Sequence, residues 1–133
     1  MIRLEIVTPE RKVLDADVDS VTVPTASGEA GIMPNHAPLI SVLKPGILAY
    51  NVKGVSNRLA VSAGFVEVSA NKVAVLVDKA ETADEIDLEA VRAEREAAEK
   101  AYAAVASGSV EETEVAREQL EAAQVRLQLA STR

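Results

Sequence analysis

The residues that could carry out catalysis are few in this sequence, and they lie apart. His36 is the only histidine and cysteine is absent, which excludes a thiolate nucleophile and a Cys/His metal site. His36 stands between an asparagine and an Ala-Pro pair, and no serine lies in a Gly-x-Ser-x-Gly elbow. Neighbouring carboxylates such as Glu111 and Glu112 fall in a charged helical pattern, which is typical of a solvated face. The sequence therefore predicts no catalytic residue and no metal site.

A second group of special residues fills the stretch from Gly28 to Pro38. Gly28 and Gly31 suit backbone that turns sharply or approaches another surface closely. Pro34 and Pro38 fix φ and favour extended conformations in the residues before them. The two glycines lack the Lys-Ser/Thr of a phosphate-binding loop. We therefore expect a stiff loop between strands that another molecule contacts.

From Arg3 to Asp78 the sequence has the period-two pattern of β-strands. Turn residues separate the strands at short intervals, as in Pro45-Gly46 and Lys53-Gly54. Such spacing predicts a β-sandwich or flattened barrel of eight to ten strands, with an open sheet as the alternative. The residues predicted to share strand faces are Leu4/Ile6, Val21/Val23, Leu59/Val61, Val66/Val68 and Val73/Val75/Val77.

After Asp84 the pattern becomes helical. Asp84 or Asp87 can cap a first helix, and residues 88–106 contain neither glycine nor proline. After a break at 107–109, Ser109 and Glu112 have capping-box spacing for a second helix that reaches about Ala130. The apolar stripes are Leu88, Val91, Ala98, Tyr102 and Val105 on the first helix, and Ala116, Leu120, Ala123, Leu127 and Ala130 on the second.

Two such helices joined by a short turn form an antiparallel hairpin. Its seam is rich in alanine, and a buried methylene group contributes only about 0.8 kcal/mol. We therefore expect a marginally stable hairpin that detaches easily from the surface it packs against. The predicted units are a β-sandwich over residues 1–84 and a helical hairpin over residues 85–133.

The net charge of −7 arises entirely from residues 81–133, because residues 1–80 carry equal numbers of acids and bases. An acidic chain with few aromatic residues is a poor nucleic-acid binder. No apolar run approaches the roughly 18 residues of a membrane span, and Met1–Val7 alternates like a strand and lacks the apolar region of a signal peptide. The sequence therefore predicts a soluble, cytoplasmic protein without direct membrane insertion.

Several motifs, taken in order along nearly the whole chain, resemble the epsilon subunit of bacterial F-type ATP synthases. They are Val7–Arg11, Gly28–Pro38, Leu43–Gly46, Ser62–Val68, Ala80-Glu81 and Ile86-Asp87. The resemblance implies a ten-stranded β-sandwich followed by a two-helix hairpin. It also implies a non-catalytic subunit of the rotating central stalk, peripheral to the cytoplasmic side of the plasma membrane, which couples ion translocation to ATP synthesis.

The resemblance further implies partners for particular residues. The polar loops of the c-ring would contact Gly28, Glu29, Ala30, Gly31 and Ile32, and the gamma subunit would contact Thr8, His36, Ser62, Ala63 and Gly64. In the family the hairpin lies folded on the sandwich or extends along gamma into the alpha/beta catalytic head. The extended form blocks ATP hydrolysis.

Some members of the family bind ATP on the folded hairpin through Ile/Leu-Asp-x-x-Arg-Ala. Here Arg92-Ala93 comes two positions late, and two helical residues correspond to about 200° of rotation. High-affinity ATP binding is therefore not expected, and no cofactor is predicted. A weak ATP site would consist of Glu81, Ile86, Asp87, Arg92 and Arg126.

Two other interpretations stay open at this stage. The chain could be a free-standing nucleotide-sensing module, but the shifted position of Arg92-Ala93 is evidence against this interpretation. It could also be a small β-sandwich enzyme centred on His36, for which the sequence supplies no partner groups.

Overall fold

The structure is a computed structural model that describes residues 1–132 as ten strands followed by two helices. A 3-10 turn at Ala83–Glu85 joins the two parts. The strands are β1 Ile2–Val7, β2 Lys12–Val18, β3 Ser20–Thr25, β4 Gly28–Ile32, β5 Leu39–Leu43, β6 Gly46–Val52, β7 Val55–Val61, β8 Gly64–Ser69, β9 Lys72–Val77 and β10 Ala80–Glu81. The helices are α1 Leu88–Val105 and α2 Val110–Ser131. The predicted fold class, a ten-stranded β-sandwich followed by a two-helix hairpin, is confirmed.

The strands form one continuous hydrogen-bonded path that runs β10-β7-β6-β3-β5-β8-β9-β1-β2, with β4 paired to β3 beside it. All neighbours are antiparallel except β1 and β9, which are parallel and pair Leu4 with Val73 and Ile6 with Val75. This pair joins the first strand to the ninth. β1 therefore lies between the next strand along the chain, β2, and the much later strand β9.

The core is built from small aliphatic side chains at alternating strand positions. Every residue that the period-two pattern assigned to a shared strand face is buried, and Leu4, Ile6, Val66, Val73 and Val75 are completely inaccessible. Alternation places one side of each strand in the core and the other outside. The periodicity argument is therefore confirmed for the five strands to which it was applied.

The prediction of a loop from Gly28 to Pro38 was wrong for its first half. Gly28–Ile32 is strand β4, which pairs with β3 from Thr25 to Val21. Only residues 33–38 form a loop, which is tied by a hydrogen bond of 2.6 Å from the Asn35 N–H to Asn71 Oδ1. Two glycines and one alanine give β4 no apolar alternation, so the strand depends on pairing with β3.

Both helices begin at the predicted caps. Asp87 Oδ1 accepts a hydrogen bond from the Ala90 N–H at 3.2 Å, and Ser109 Oγ accepts one from the Glu112 N–H at 3.2 Å. The predicted seam residues are buried or partly buried on both helices. One position was missed: Leu129 is buried although it lies outside the stripe, because it packs against the sandwich.

Within residues 1–132, the buried apolar contact between the hairpin and the sandwich lies near the hairpin base. A small apolar cluster combines Ala60 of β7 with Ile86, Val91, Leu129 and Ala130. Farther along α2, clefts of about 220 and 370 Å³ separate the helix from the loops at Pro45 and Ala63. The fully buried apolar contact between the two parts is therefore concentrated at the hairpin base.

The connection between sheet and helix is held by polar contacts around Glu85. The Thr82 N–H donates to the Glu85 carboxylate at 3.1 Å and lowers the pKa of Glu85 below its ordinary value. The Thr82 hydroxyl and the Arg11 guanidinium act in the same direction, the latter across 3.0 Å. Partial burial of the carboxyl opposes this shift. These contacts anchor the start of the hairpin to the turn after β1.

Gly64 allows β8 and β9 to approach closely. A Cβ atom there would lie 2.0 Å from the Leu76 carbonyl oxygen and 2.8 Å from Val77 Cγ1. We expect Gly64→Ala to lower the free energy of unfolding by about 1–3 kcal/mol, because the backbone must shift to accept the methyl group. Urea denaturation measures the change.

Gly31→Ala is the matched control, because a Cβ at Gly31 would meet no atom within 4 Å. It should change stability by less than about 0.5 kcal/mol. Equal losses for the two variants would contradict the close-approach explanation.

Candidate partner-binding surfaces

An apolar row crosses the outer face of four neighbouring strands. Val42 of β5 pairs with Phe65 of β8, Phe65 pairs with Leu76 of β9, and Leu76 pairs with Val7 of β1. Val42, Phe65 and Leu76 are 52%, 56% and 49% exposed, and Ile40 farther along β5 is 77% exposed. Contiguous exposed apolar side chains of this size mark interaction sites.

The row opens into a groove of about 590 Å³ at one end of these strands. Thr8 and Pro9 form one wall, and Ala63 and Gly64 lie on another. The structure therefore brings together three of the five residues expected to face gamma: Thr8, Ala63 and Gly64. Thr8 Oγ1 donates to the Arg11 carbonyl at 3.1 Å, which holds the turn after β1.

Ser62 has a structural contact in addition to its place beside the groove. Its hydroxyl oxygen accepts hydrogen bonds from the backbone N–H groups of Asp78 and Lys79, each at 3.0 Å. The Ser62 N–H in turn donates to the Lys79 carbonyl at 3.0 Å. This arrangement joins the turn after β7 to the turn after β9 and shapes the groove wall.

His36 lies away from the groove. It precedes β5 near Leu39, which pairs with Val68, whereas the groove is at Leu43, which pairs with Gly64 at the other end of the strand. Its exposed ring shares a hydrogen bond of 2.6 Å between Nδ1 and the Ala37 carbonyl. Within residues 1–132, no carboxylate, hydroxyl or second titratable group is hydrogen-bonded to His36. The contacts described for His36 thus include none of the partners that acid–base catalysis uses.

The residues expected to face the c-ring lie together on β4 and the β3–β4 turn. Gly28 has φ of +128°, and its carbonyl accepts a hydrogen bond from the Thr25 hydroxyl. Glu29 is exposed and Ile32 is buried in the core. A Cβ atom at Gly31 would meet no atom of residues 1–132 within 4 Å, apart from its chain neighbours. The surface of β4 therefore offers open backbone and one carboxylate, while Ile32 anchors the strand.

The five residues of the expected weak ATP site have contacts within the protein. Ile86 is buried in the apolar cluster at the hairpin base, and Asp87 caps α1. Arg92 pairs with Glu89 at 2.7 Å on the exposed side of the same helix. Arg126 Nε lies 2.7 Å from Glu81 Oε1, and Arg126 Nη1 is bonded to Glu94.

A cleft of about 680 Å³ between the hairpin and the Asp78–Lys79 turn reaches Arg126. Its charged lining balances Lys79 and Arg126 against Asp78 and Glu94, and its remaining wall is mostly alanine. Phosphate recognition needs an excess of positive charge or a cradle of backbone N–H groups. The cleft has no such excess.

Two parts of the surface were not anticipated from the sequence. The exposed apolar row could have been found, because Phe65 and Leu76 occupy the outward positions beside buried Val66, Val75 and Val77. The contact of Glu94 with Arg126 could not be found from the sequence. On a helix with many charged residues, a further glutamate is expected to face solvent, and only the position of α2 shows the pairing.

No three His, Asp or Glu side chains in residues 1–132 come together as a metal site. None of the helices in this range has the length and apolar content needed to cross a membrane.

Comparison with known proteins connects these surfaces to a family. The family described as "ATP synthase, Delta/Epsilon chain, beta-sandwich domain" matches residues 1–83. The ATP synthase epsilon chain of Herpetosiphon aurantiacus is 47% identical over 132 residues, which are 99% of this chain and 96% of the relative.

Two solved structures share the fold. One is a chain of the Euglena gracilis mitochondrial ATP synthase, in a structure of OSCP, F1 and c-ring. The match has a TM-score of 0.79 and 25% sequence identity, and it covers 98% of this chain and 81% of that one. The other comes from the central stalk and c-ring of the Tetrahymena thermophila enzyme, with a TM-score of 0.64 at 20% identity and coverage of 97% and 96%. From its sequence match over almost the full length, this chain belongs to the ATP synthase epsilon-chain family.

Proposed function

We propose that this chain is a non-catalytic subunit of the ATP synthase central stalk, which couples ion translocation to ATP synthesis. The observation that carries the proposal is the exposed apolar row on β5, β8 and β9 in a member of the epsilon-chain family. A free subunit gains nothing from exposing Phe65 and Leu76, whereas an assembled one can bury them. The neighbours in mitochondrial ATP synthase assemblies support the same assignment.

The gamma subunit is the proposed occupant of the apolar row and its groove. Thr8, Ala63 and Gly64 line the groove, and Ser62 supports its wall. His36 would meet gamma at the opposite end of β5. The two contacts would be separated by the length of that strand, so the proposed interface runs along β5 and β8.

The c-ring is the proposed partner of β4. Exposed Glu29 supplies a charge for the polar loops of the ring, and the open backbone at Gly31 allows close approach. Contacts with gamma on one surface and with the ring on another would make the sandwich a fixed link in the rotor. We propose that the chain lies on the cytoplasmic side of the bacterial membrane, as a peripheral part of the complex.

The hairpin is the proposed regulatory arm, which inhibits ATP hydrolysis when it extends towards the alpha/beta head. The apolar cluster that joins it to the sandwich lies near the base and has few fully buried residues, among them Ile86 and Leu129. Val110 and Val115 near the hairpin turn are exposed and free to contact another subunit. A weakly docked element with two alternative positions can be switched by a bias of a few kcal/mol.

Nucleotide sensing is the weaker proposal for the hairpin. Arg126 is already neutralised by Glu81 and Glu94, and Arg92 pairs with Glu89. A nucleotide would have to displace these carboxylates before it gained any contact from the two arginines. We therefore assign no cofactor to the hairpin.

Deleting residues 88–133 tests the division of labour between sandwich and hairpin. The truncated chain should bind gamma and the c-ring like the full-length chain, because neither proposed interface includes α1 or α2. Inhibition of ATP hydrolysis in the reconstituted complex should be lost. Binding is measured by pull-down and hydrolysis by phosphate release, with the full-length chain as control. Loss of gamma binding on truncation would contradict the assignment.

Phe65→Asp tests the gamma surface. Burying an aromatic side chain contributes about 1.5–3 kcal/mol, so affinity for the gamma-containing catalytic head should fall by at least about ten-fold. Val55→Asp is the matched control, since Val55 is similarly exposed on β7 outside the row. Titration calorimetry against the head lacking this subunit compares the two variants, and equal affinities would show that the row is not the gamma surface.

A further inference from the structure

One arginine connects three elements at the base of the hairpin. Arg126 on α2 bonds Glu81 of β10 through Nε at 2.7 Å and through Nη2 at 3.3 Å. Its Nη1 bonds Glu94 on α1. The Arg126 side chain is only 18% exposed, and that of Glu81 is 22% exposed. These charges are therefore screened less by solvent than the other ion pairs of the helices.

The pair of Arg126 and Glu81 differs in position from the other ion pairs of the hairpin. Within residues 88–132, Arg126–Glu94 joins the two helices, and the remaining pairs join residues three or four apart on one helix, as in Arg95 with Glu99. Such pairs are unchanged when the hairpin moves as a unit. Among the ion pairs of the described residues, Arg126–Glu81 joins a hairpin helix to a strand of the sheet.

We propose that Glu81, Arg126 and Glu94 form an ionic latch in which the two carboxylates have opposite effects on hairpin docking. Glu81 stays with the sandwich, whereas Arg126 and Glu94 both belong to the hairpin. Undocking breaks the bond to Glu81, but the bond to Glu94 can persist. Glu94 therefore neutralises the arginine in the released hairpin and repels Glu81 in the docked one.

Glu81→Gln and Glu94→Gln are the same chemical change, but they should shift the undocked population of the hairpin in opposite directions. Glu81→Gln removes the attraction that holds the hairpin down, so it raises the undocked population. Glu94→Gln removes the repulsion of Glu81 and leaves Arg126 unpaired after release, so it lowers the undocked population. If both carboxylates simply stabilised the docked hairpin, both substitutions would raise the undocked population.

The latch deepens the proposed function, because it rests on a hairpin that moves. The latch adds an ionic contribution to the free energy of hairpin docking, beside that of the apolar cluster around Val91 and Leu129. A further hydrogen bond between the hairpin end and the sheet, from Arg58 to the Thr132 hydroxyl at 3.2 Å, is exposed. Salt should weaken docking through Arg126 and Glu81 more than through the apolar contacts.

Distance measurement between two spin labels tests the proposal on the full chain. The sequence lacks cysteine, so Ser56→Cys on β7 and Ser107→Cys in the hairpin turn give unique labelling sites, both exposed. In this background we expect Glu81→Gln to raise the ratio of undocked to docked chains at least three-fold. Glu94→Gln should lower it at least two-fold. Raising the salt concentration should raise the ratio in the parent but not in Glu81→Gln.

Glu99→Gln is the matched control, since Glu99 pairs only with Arg95 on its own helix. It should leave the distance distribution unchanged. A shift in the same direction for Glu81→Gln and Glu94→Gln, or no shift for either, would overturn the latch. The proposed function is judged separately by the loss of inhibition on truncation, so either proposal can fail while the other stands.

Discussion

The small contact between the hairpin base and the sandwich is the constraint on which the rest of this structure depends. It buries Ala60, Ile86, Val91, Leu129 and Ala130, of which two are alanines. Farther along α2, clefts lie between the helix and the loops at Pro45 and Ala63. Hydrophobic stabilisation follows the apolar area removed from water, so this contact is weak beside the core of the sandwich. A hairpin held so lightly can be released while the sheet stays folded.

The sandwich meets the opposite requirement. Its core of valine, leucine and isoleucine runs through all the main strands, and the parallel pairing of β1 with β9 connects β1 and β2 to the rest of the sheet. A rigid sheet can therefore present the apolar row of Val42, Phe65 and Leu76 on one surface and β4 on another. We thus propose that the sandwich binds the partner subunits stably and that the hairpin is the movable, regulatory part of the chain. The ionic contacts of Arg126 lie where these two parts meet.

Much of this architecture could be predicted from the sequence, because the responsible signals are local. Period two placed Val73, Val75 and Val77 in the core, and Asp87 and Ser109 cap the helices as their spacing indicates. Strand β4 could not be predicted in the same way, because glycine and alanine carry no apolar alternation. The strand is recognised only from its hydrogen-bonded pairing with β3.

The candidate sites were less accessible to sequence reasoning, because they depend on contacts between distant segments. The groove joins Thr8 to Gly64 across paired strands, and Arg126 meets Glu81 and Glu94 only after the hairpin has folded back. The resemblance to epsilon subunits supplied the names of partners that local patterns do not contain. Leu129 likewise became a core residue only through docking on the sandwich.

The central claim is that the hairpin is a separately opening unit on a stable sandwich. Native-state hydrogen exchange of the isolated full-length chain tests it most directly, since it reports the opening free energy of each amide. We expect the amides of α1 and α2 to exchange through an opening that leaves those of β6 and β7 protected. Exchange of helix and core-strand amides with the same opening free energy would contradict it.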